Sequence, residues 1–462
     1  MANKQTDKGE RKDMKKGLII IAAALFVAAM VLPAMAVDMS LSGFYRVRGF
    51  YQSNANAGKV TPWDGTNPKT TNGYGSPDAW WDHMLQLNPV FKVADNLKLV
   101  TRVSMFNNQM WGNDNTSGAV AGKDALSADS FNSDAENIIF NRAYIEWATP
   151  KGTLKIGRMA GNYTFFLPFG NTELDADRIV YVSPNYSGFN AVLGHEKRVE
   201  GSVTDGNNDA DADHDRYFAI LQYACPGLYI GYAPDWYRDQ TTATANIDKY
   251  NHNFCLKLND ATNTYFFEGE LQFRTGEVDN DSTTDYDYDG MGYYAAAGMR
   301  KGPLTVALAT AFCSGDDNSA ATTDDEQGTP FGLDFMPLYI ATGPYSNILT
   351  SQTGGYGNAM TAIDSIPNTG AQAYLISADY VVDPQLAVHG ALGVAYADKT
   401  SSGVDDEFGK ELDLGLKYQL MSNLAYELHF GYLWTGDFFK VGTNNYTTDD
   451  IYQIDHSLTL SF

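Results

Sequence analysis

Stretches of about 8–14 residues with strand-forming character recur eighteen times along this chain, and the gaps between them are alternately tight and long. The series runs from 39–52 to 451–462 and includes 227–238, 250–259, 264–276 and 290–300 in its middle. Within the clearest stretches every second residue is apolar. Leu412, Leu414, Leu416, Tyr418 and Leu420 oppose Glu411, Asp413, Gly415, Lys417 and Gln419. A period of two puts alternate side chains on opposite faces of a strand, one apolar and one polar. The tight gaps include Asp95-Asn96, Pro150-Lys151, Cys225-Pro226 and Met421–Asn423, rich in residues that suit turns. The long gaps include 53–79, 112–137, 159–176, 239–249, 277–289 and 314–369. A sandwich has no reason to sort its loops by side. An all-β, antiparallel transmembrane barrel of about 18 strands (16–18) does, with short turns at the periplasmic end and long loops outside. A barrel of that strand number encloses a wide, water-filled lumen.

The last strand carries the pattern to the end of the chain. Tyr452, Ile454, His456, Leu458, Leu460 and Phe462 fall on one face, with Gln453, Asp455, Ser457, Thr459 and Ser461 on the other. It resembles the closing strand of bacterial outer-membrane barrels, which implies that Phe462 serves membrane insertion through the barrel-assembly machinery. At the other end, Met14-Lys-Lys-Gly leads into an apolar run from Leu18 to Leu32 and then Pro33-Ala34-Met35-Ala36. A basic start, an apolar middle and an A-x-A site describe a secretory signal peptide. Residues 1–36 are therefore read as an N-terminal extension plus signal, with Met14 a plausible start, and 37–462 as one barrel domain.

Removing the six Lys/Arg and three Asp/Glu of that segment from totals of 32 and 56 leaves 26 against 53, a net charge of −27. Nucleic acid, whose phosphates need cationic partners, is excluded as a ligand class. Cys225, Cys255 and Cys313 are widely spaced, with no C-x-x-C-H, so no haem attaches to this chain and no zinc ribbon forms. They read as structural thiols, with room for one disulfide at most. No cofactor is expected.

If the apolar face meets lipid, the opposite face is the lumen. Parity assigns Arg46, Arg48, Lys98, Arg102, Arg142, Lys155, Glu268, Glu270, Arg274, Glu411, Asp413, Lys417, Glu427 and His429 to it. Mixed signs suggest a solvated passage crossed by transverse fields, with a basic ladder on early strands facing acidic later ones. The bland alternative is that these side chains hydrate and brace the wall. Loop 314–369 contains Thr329-Pro-Phe-Gly-Leu-Asp-Phe-Met-Pro-Leu-Tyr-Ile340, too apolar for a solvated tip. Two readings stand: it folds inward as a constriction through Phe331, Phe335 and Tyr339, or it covers the loops outside. Asp285, Asp287, Asp289 and Gly290 match the first half of an EF-hand loop, but its twelfth position is Ala296 rather than Glu. The Asp-dense loops are read as solvating, with a Ca²⁺ site or a cation bridge to lipopolysaccharide as the alternative. Glu427 and His429 share a face, yet no nucleophile motif such as G-x-S-x-G accompanies them, so no enzyme is expected.

Ile139–Trp147 with Lys155-Ile-Gly-Arg158, then Leu174-Asp-Ala-Asp-Arg178, and Glu411–Tyr418 with Gly431-Tyr and Thr435-Gly-Asp437 resemble segments of the alginate-export-like and related large porins. The resemblance covers about a quarter of the chain. It implies an eighteen-stranded barrel with an arginine-lined lumen, to which Arg142, Arg158 and Arg178 would belong. Met159 stands where that group has Gln after Gly-Arg. The expected function is an outer-membrane porin passing small hydrophilic solutes by diffusion, among lipid and lipopolysaccharide, and homotrimers are common in such proteins. The alternatives are a substrate-specific channel for a charged saccharide or anion, and a scaffold barrel sheathing a multihaem cytochrome.

Overall fold

A computed structural model describes residues 37–53, 58–59, 78–111, 138–160, 175–201, 213–242, 245–280, 285–316, 338–340, 370–400, 403, 405–439, 447–448 and 450–462. The segment read as a signal lies outside them. Eighteen strands form one antiparallel sheet. They are β1 (Asp38–Gln52), β2 (Asp78–Ala94), β3 (Leu97–Met110), β4 (Ile138–Thr149), β5 (Gly152–Ala160) and β6 (Asp175–Val182). Next come β7 (Phe189–Val199), β8 (His214–Cys225), β9 (Leu228–Thr242), β10 (Ala245–Asn259), β11 (Tyr265–Asn280) and β12 (Tyr286–Lys301). The last six are β13 (Leu304–Cys313), β14 (Ala371–Val381), β15 (Leu386–Tyr396), β16 (Glu407–Met421), β17 (Leu424–Thr435) and β18 (Ile451–Ser461). Each pairs with its neighbours in sequence, and β18 pairs back onto β1. Closure removes the open edges that would otherwise leave backbone groups unsatisfied in lipid.

The seam is held to its last residue. Ser461 lies opposite Phe44, Gly43 N–H donates to the Phe462 carbonyl at 2.9 Å, and Phe462 N–H donates to the Gly43 carbonyl at 3.0 Å. A Cβ on Gly43 would come within 2.3 Å of the Gln86 carbonyl oxygen and 3.0 Å of the Phe462 ring. Glycine at this position lets the final aromatic lie flat across β1.

Alternation sorts the two faces. Ile145, Trp147, Ile156, Ile179, Leu193, Leu221, Ile230, Leu308, Leu392 and Leu414 are exposed on the outside. Leu308 is 61% exposed and the others named lie between 43 and 53%, spread over β4–β9, β13, β15 and β16. Continuous apolar surface of this kind is stable only against lipid. Aromatics such as Tyr186, Phe189, Tyr265 and Phe462 gather toward the tight-turn end, as expected of rings at a membrane interface. Inside, Gln86, Arg178, Glu196, Asp235, Asn253, Glu270, Gln272 and Gln453 are buried. A bulge opposite Arg102 preserves this sorting on β4: Arg102 faces Arg142, but Val103 faces Phe140. The extra residue lets Phe140 point out and Arg142 point in although both numbers are even.

The strand bounds differ from the sequence expectation in the middle of the chain. The segments 227–238, 250–259, 264–276 and 290–300 become strands of 15, 15, 16 and 16 residues. Segments read as loops at 239–249 and 277–289 are therefore largely sheet. Their Asp, Asn and Thr content hides the alternation because these strand ends lie beyond the roughly 9–11 residues that lipid requires, where neither face must be apolar.

Candidate functional site

Pairing registers fix which side chains share the interior. Arg46, Arg48, Arg102, Arg142, Arg178, Glu268, Glu270, Arg274, Glu411, Asp413, Lys417 and Glu427 all have inward parity, as do Lys98, Lys155 and His429. Arg158 does not. It lies opposite Ala143 and Asp177 on the outer face, and its Nη1 is 3.5 Å from Asp177 Oδ2. The resemblance to large porins placed Arg158 in the lumen, but Lys155, Gly157 and Met159 are the inward residues of β5. The arginine one step away must point out.

The interior arginines form ion pairs along the wall. Arg48 makes a two-point contact with Asp82, at 2.8 Å to Oδ1 and 2.6 Å to Oδ2. Arg142 Nε is 2.5 Å from Asp175, and Arg178 Nε is 2.8 Å from Glu196 Oε2. Arg216 bonds Asp235, which also accepts from Asn251 Nδ2 at 2.8 Å. Lys98 lies 2.6 Å from Glu146, and Lys417 lies 2.6 Å from Glu427. Arg46 donates to Asn108 at 2.9 Å. Carboxylates on nearby strands thus compensate Arg48 and Arg142 of the basic ladder that the sequence suggests on the early strands. Bidentate and charge-assisted pairs hold the guanidiniums flat against the wall rather than leaving them extended into the passage. Buried pairs of this kind contribute geometry more than net stability.

The most specific feature is a segment of the long loop after β13. Leu338 and Ile340 are fully buried, packed among Ala311, Ala373, Leu375, Ala391, Ala395 and Leu433. Between them, Tyr339 stacks on His429, ring centroids 5.0 Å apart and planes 6° apart. Two carboxylates of β16 take the backbone: Tyr339 N–H donates to Asp413 Oδ2 at 3.0 Å, and Ile340 N–H donates to Glu411 Oε1 at 2.5 Å. Room comes from small residues on three successive strands. A Cβ on Gly393 would lie 2.5 Å from Leu338 Cδ1, and one on Gly431 would lie 3.0 Å from Ile340 Cγ1. Residues 338–340 therefore lie inside the barrel against β13–β18. Phe331 and Phe335, expected to share in a constriction, lie outside the described residues; Tyr339 is within them.

Sequence reading assigned Glu411 and Asp413 to the interior but missed their task, holding another segment's N–H groups. A signal was available: alanine or glycine at alternate positions of β13, β14 and β15 leaves a recess that something must fill. The Asp285–Asp289 candidate takes a different form. Asp287 and Asp289 lie within β12, opposite Glu277 and Thr275, so the chain is extended where an EF-hand loop must curl. Asp285 Oδ1 instead accepts from Asn280 N–H at 2.9 Å. Among the described residues no group of three or more His, Cys, Asp or Glu side chains is placed to hold a metal ion.

No protein-family model matches the chain, and no curated protein matches it. Solved structures do. Acinetobacter baumannii OccAB3 superposes with a TM-score of 0.53 at 13% identity, covering 92% of this chain and 100% of that one. Pseudomonas aeruginosa OccK9 (OpdG) gives 0.53 at 11%, with 92% and 99% covered. The outer membrane protein opdK from Pseudomonas aeruginosa gives 0.50 at 12%, with 92% and 98% covered. At such identities the likeness establishes the fold: a closed eighteen-stranded barrel like theirs, end to end.

Proposed function

We propose that this chain is an outer-membrane porin, a water-filled channel through which small hydrophilic solutes diffuse, narrowed by the segment at 338–340. The observation that carries the reading is the contrast between the two walls joined by that segment. The outer wall exposes large apolar side chains on many strands, the inner wall is charged, and Leu338–Ile340 is clamped inside by Glu411, Asp413 and His429. Water-filled passages need a polar lining, and a loop folded onto that lining sets their effective width. The outer-membrane location of the superposing opdK supports the same location here, with the tight-turn end in the periplasm and lipopolysaccharide around the other end. Phe462, bonded at the seam, is the natural feature for assembly machinery to take up. Catalysis has no part in the reading.

Pairing of the interior guanidiniums with carboxylates favours a weakly selective passage over a dedicated channel for an acidic saccharide. The test is single-channel recording of purified protein in planar bilayers with KCl. Ohmic steps that anionic oligosaccharides do not block are expected. Concentration-dependent block would replace this reading with a substrate-specific channel, and absence of steps would point to a plugged or partner-filled barrel.

A further inference from the structure

Tyr339 has a face that packing does not use. Its ring lies flat on His429, so one side is turned to the wall and the other to the passage. That second side meets no further ring among the described residues. The side chain is only partly buried, while Leu338 and Ile340 on either side of it are fully buried. The backbone N–H groups of Tyr339 and Ile340 are held by Asp413 and Glu411. The segment therefore presents one fixed aromatic face to the lumen at the proposed narrowing.

What surrounds that face is acidic. Asp379, His389, Gly415, His429 and Asp455 form one continuous register row across β14–β18. Gly415 leaves room for both imidazoles: a Cβ there would lie 3.0 Å from His429 Nδ1 and 3.6 Å from His389 Cβ. His429 has Asp455 opposite it on β18, Glu427 two residues below on its own strand and Asp413 diagonally above on β16. Beyond Gly415, His389 Nδ1 lies 2.8 Å from Asp379 Oδ1. Asp413 Oδ1 and Asp455 Oδ2 are buried without a hydrogen-bond partner. Among the described residues of β14–β18, Lys417 is the one inward Lys or Arg, and it lies 2.6 Å from Glu427. An aromatic face is the negative side of the ring's quadrupole, and carboxylates in a poorly solvated wall add to the negative potential over it. Both draw a cation, and the chain's net charge of −24 acts in the same direction. We propose that Tyr339 is the platform of a binding site for small organic ammonium cations, which rest on its ring during passage. An inorganic cation keeps its hydration shell and gains less from the ring, and a neutral solute gains nothing from the carboxylates. The inference deepens the channel reading and rests on it for access of the solute to the ring. A brief stay on one ring leaves the passage open to other solutes.

The test is single-channel recording of the full chain in KCl at about pH 8, above the ordinary imidazole range, with choline chloride as the probe. Choline should cause brief interruptions whose frequency rises with its concentration. Its uncharged isostere, in which a tert-butyl group replaces the trimethylammonium, should cause none. Tyr339→Phe keeps the ring and should retain the block. Tyr339→Leu should weaken it by a factor of roughly 2–30, the range of a cation on an aromatic face. Lys417→Gln removes the opposing charge and should strengthen it. Conductance without choline reports whether each variant still holds the segment docked, and a changed baseline in Tyr339→Leu would leave the decision to Lys417→Gln. Saturation-transfer NMR of choline on detergent-solubilised protein reads binding whether or not current flows. A barrel that passes no current would thus sink the channel reading while the site is still tested. Equal block in wild type and a docked Tyr339→Leu, equal effects of choline and its neutral isostere, unchanged block in Lys417→Gln, or no choline contact in the NMR experiment would each overturn the proposal.

Discussion

Removing the apolar anchors of the inward segment should open the channel. Leu338 and Ile340 are buried to within about a percent, and each fully buried side chain of this size is worth about 1.5–3 kcal/mol. The two backbone donations to Asp413 and Glu411, bonds to charged groups, add about 1.5–3 kcal/mol each. Against them stands the ordering of three residues, roughly 1–2 kcal/mol apiece for the backbone. The balance favours docking by a few kcal/mol, and the apolar and polar shares are similar. In Leu338→Ala/Ile340→Ala the apolar share largely disappears, so docked and undocked states come within about 1–2 kcal/mol of each other, a population ratio of about thirtyfold or less. Planar-bilayer recordings should then show a larger mean conductance with flicker between two levels, where wild type holds one. Glu411→Gln, which keeps an acceptor but removes its charge, should lie between them. A double variant with wild-type conductance and noise would refute the idea that this segment narrows the passage.

Other outcomes follow from the same geometry. Deleting Phe462 removes both seam hydrogen bonds to Gly43, and the folded, heat-modifiable fraction in outer membranes should fall sharply; undiminished levels would count against the closing-strand role. Gly276 has φ +140°, and an added Cβ would lie 2.0 Å from the Asp248 carbonyl oxygen. Gly276→Ala should therefore lower the urea midpoint by an amount matching at least about 1–3 kcal/mol of strain, while Gly302→Ala, where no atom lies within 4 Å of the added Cβ and only the φ of +59° is unfavourable, should cost less. In the turn after β10, hydrogen bonds from Thr262, Tyr265 and Thr264 hold the Asp260 carboxyl below its usual range. A depressed carboxylate stabilises the fold above its unfolded pKa and loses that contribution as pH falls through its folded value. The stability gap between wild type and Asp260→Asn should be full at neutral pH and close as pH drops below the ordinary carboxylate range; a gap constant down to pH 2–3, about the foot of that range, would refute it.

Strand number, turn positions and the sorting of side chains were legible in the sequence because lipid imposes a two-residue period that local composition displays directly. Glu411 and Asp413 could be placed on the inner face by counting from Leu412, and Phe462 on the outer face by counting from Leu460. Lipid imposes nothing on strand ends beyond its surface, so the outward extensions of β9–β12 read as acidic loops. A bulge is equally silent, and only pairing shows that Phe140 and Arg142 face opposite ways. Arg158 shows how a motif misleads where parity does not: the Gly-Arg pair was given the lumen by resemblance, while its neighbours on β5 put it outside. Tertiary structure alone decided what crosses strands. The docking of Leu338–Ile340 on an alanine-walled recess and the pairing of Arg48, Arg142, Arg178 and Arg216 with carboxylates on other strands both depend on register between separate segments. Register is set by closure of the whole sheet, so no single segment carries it.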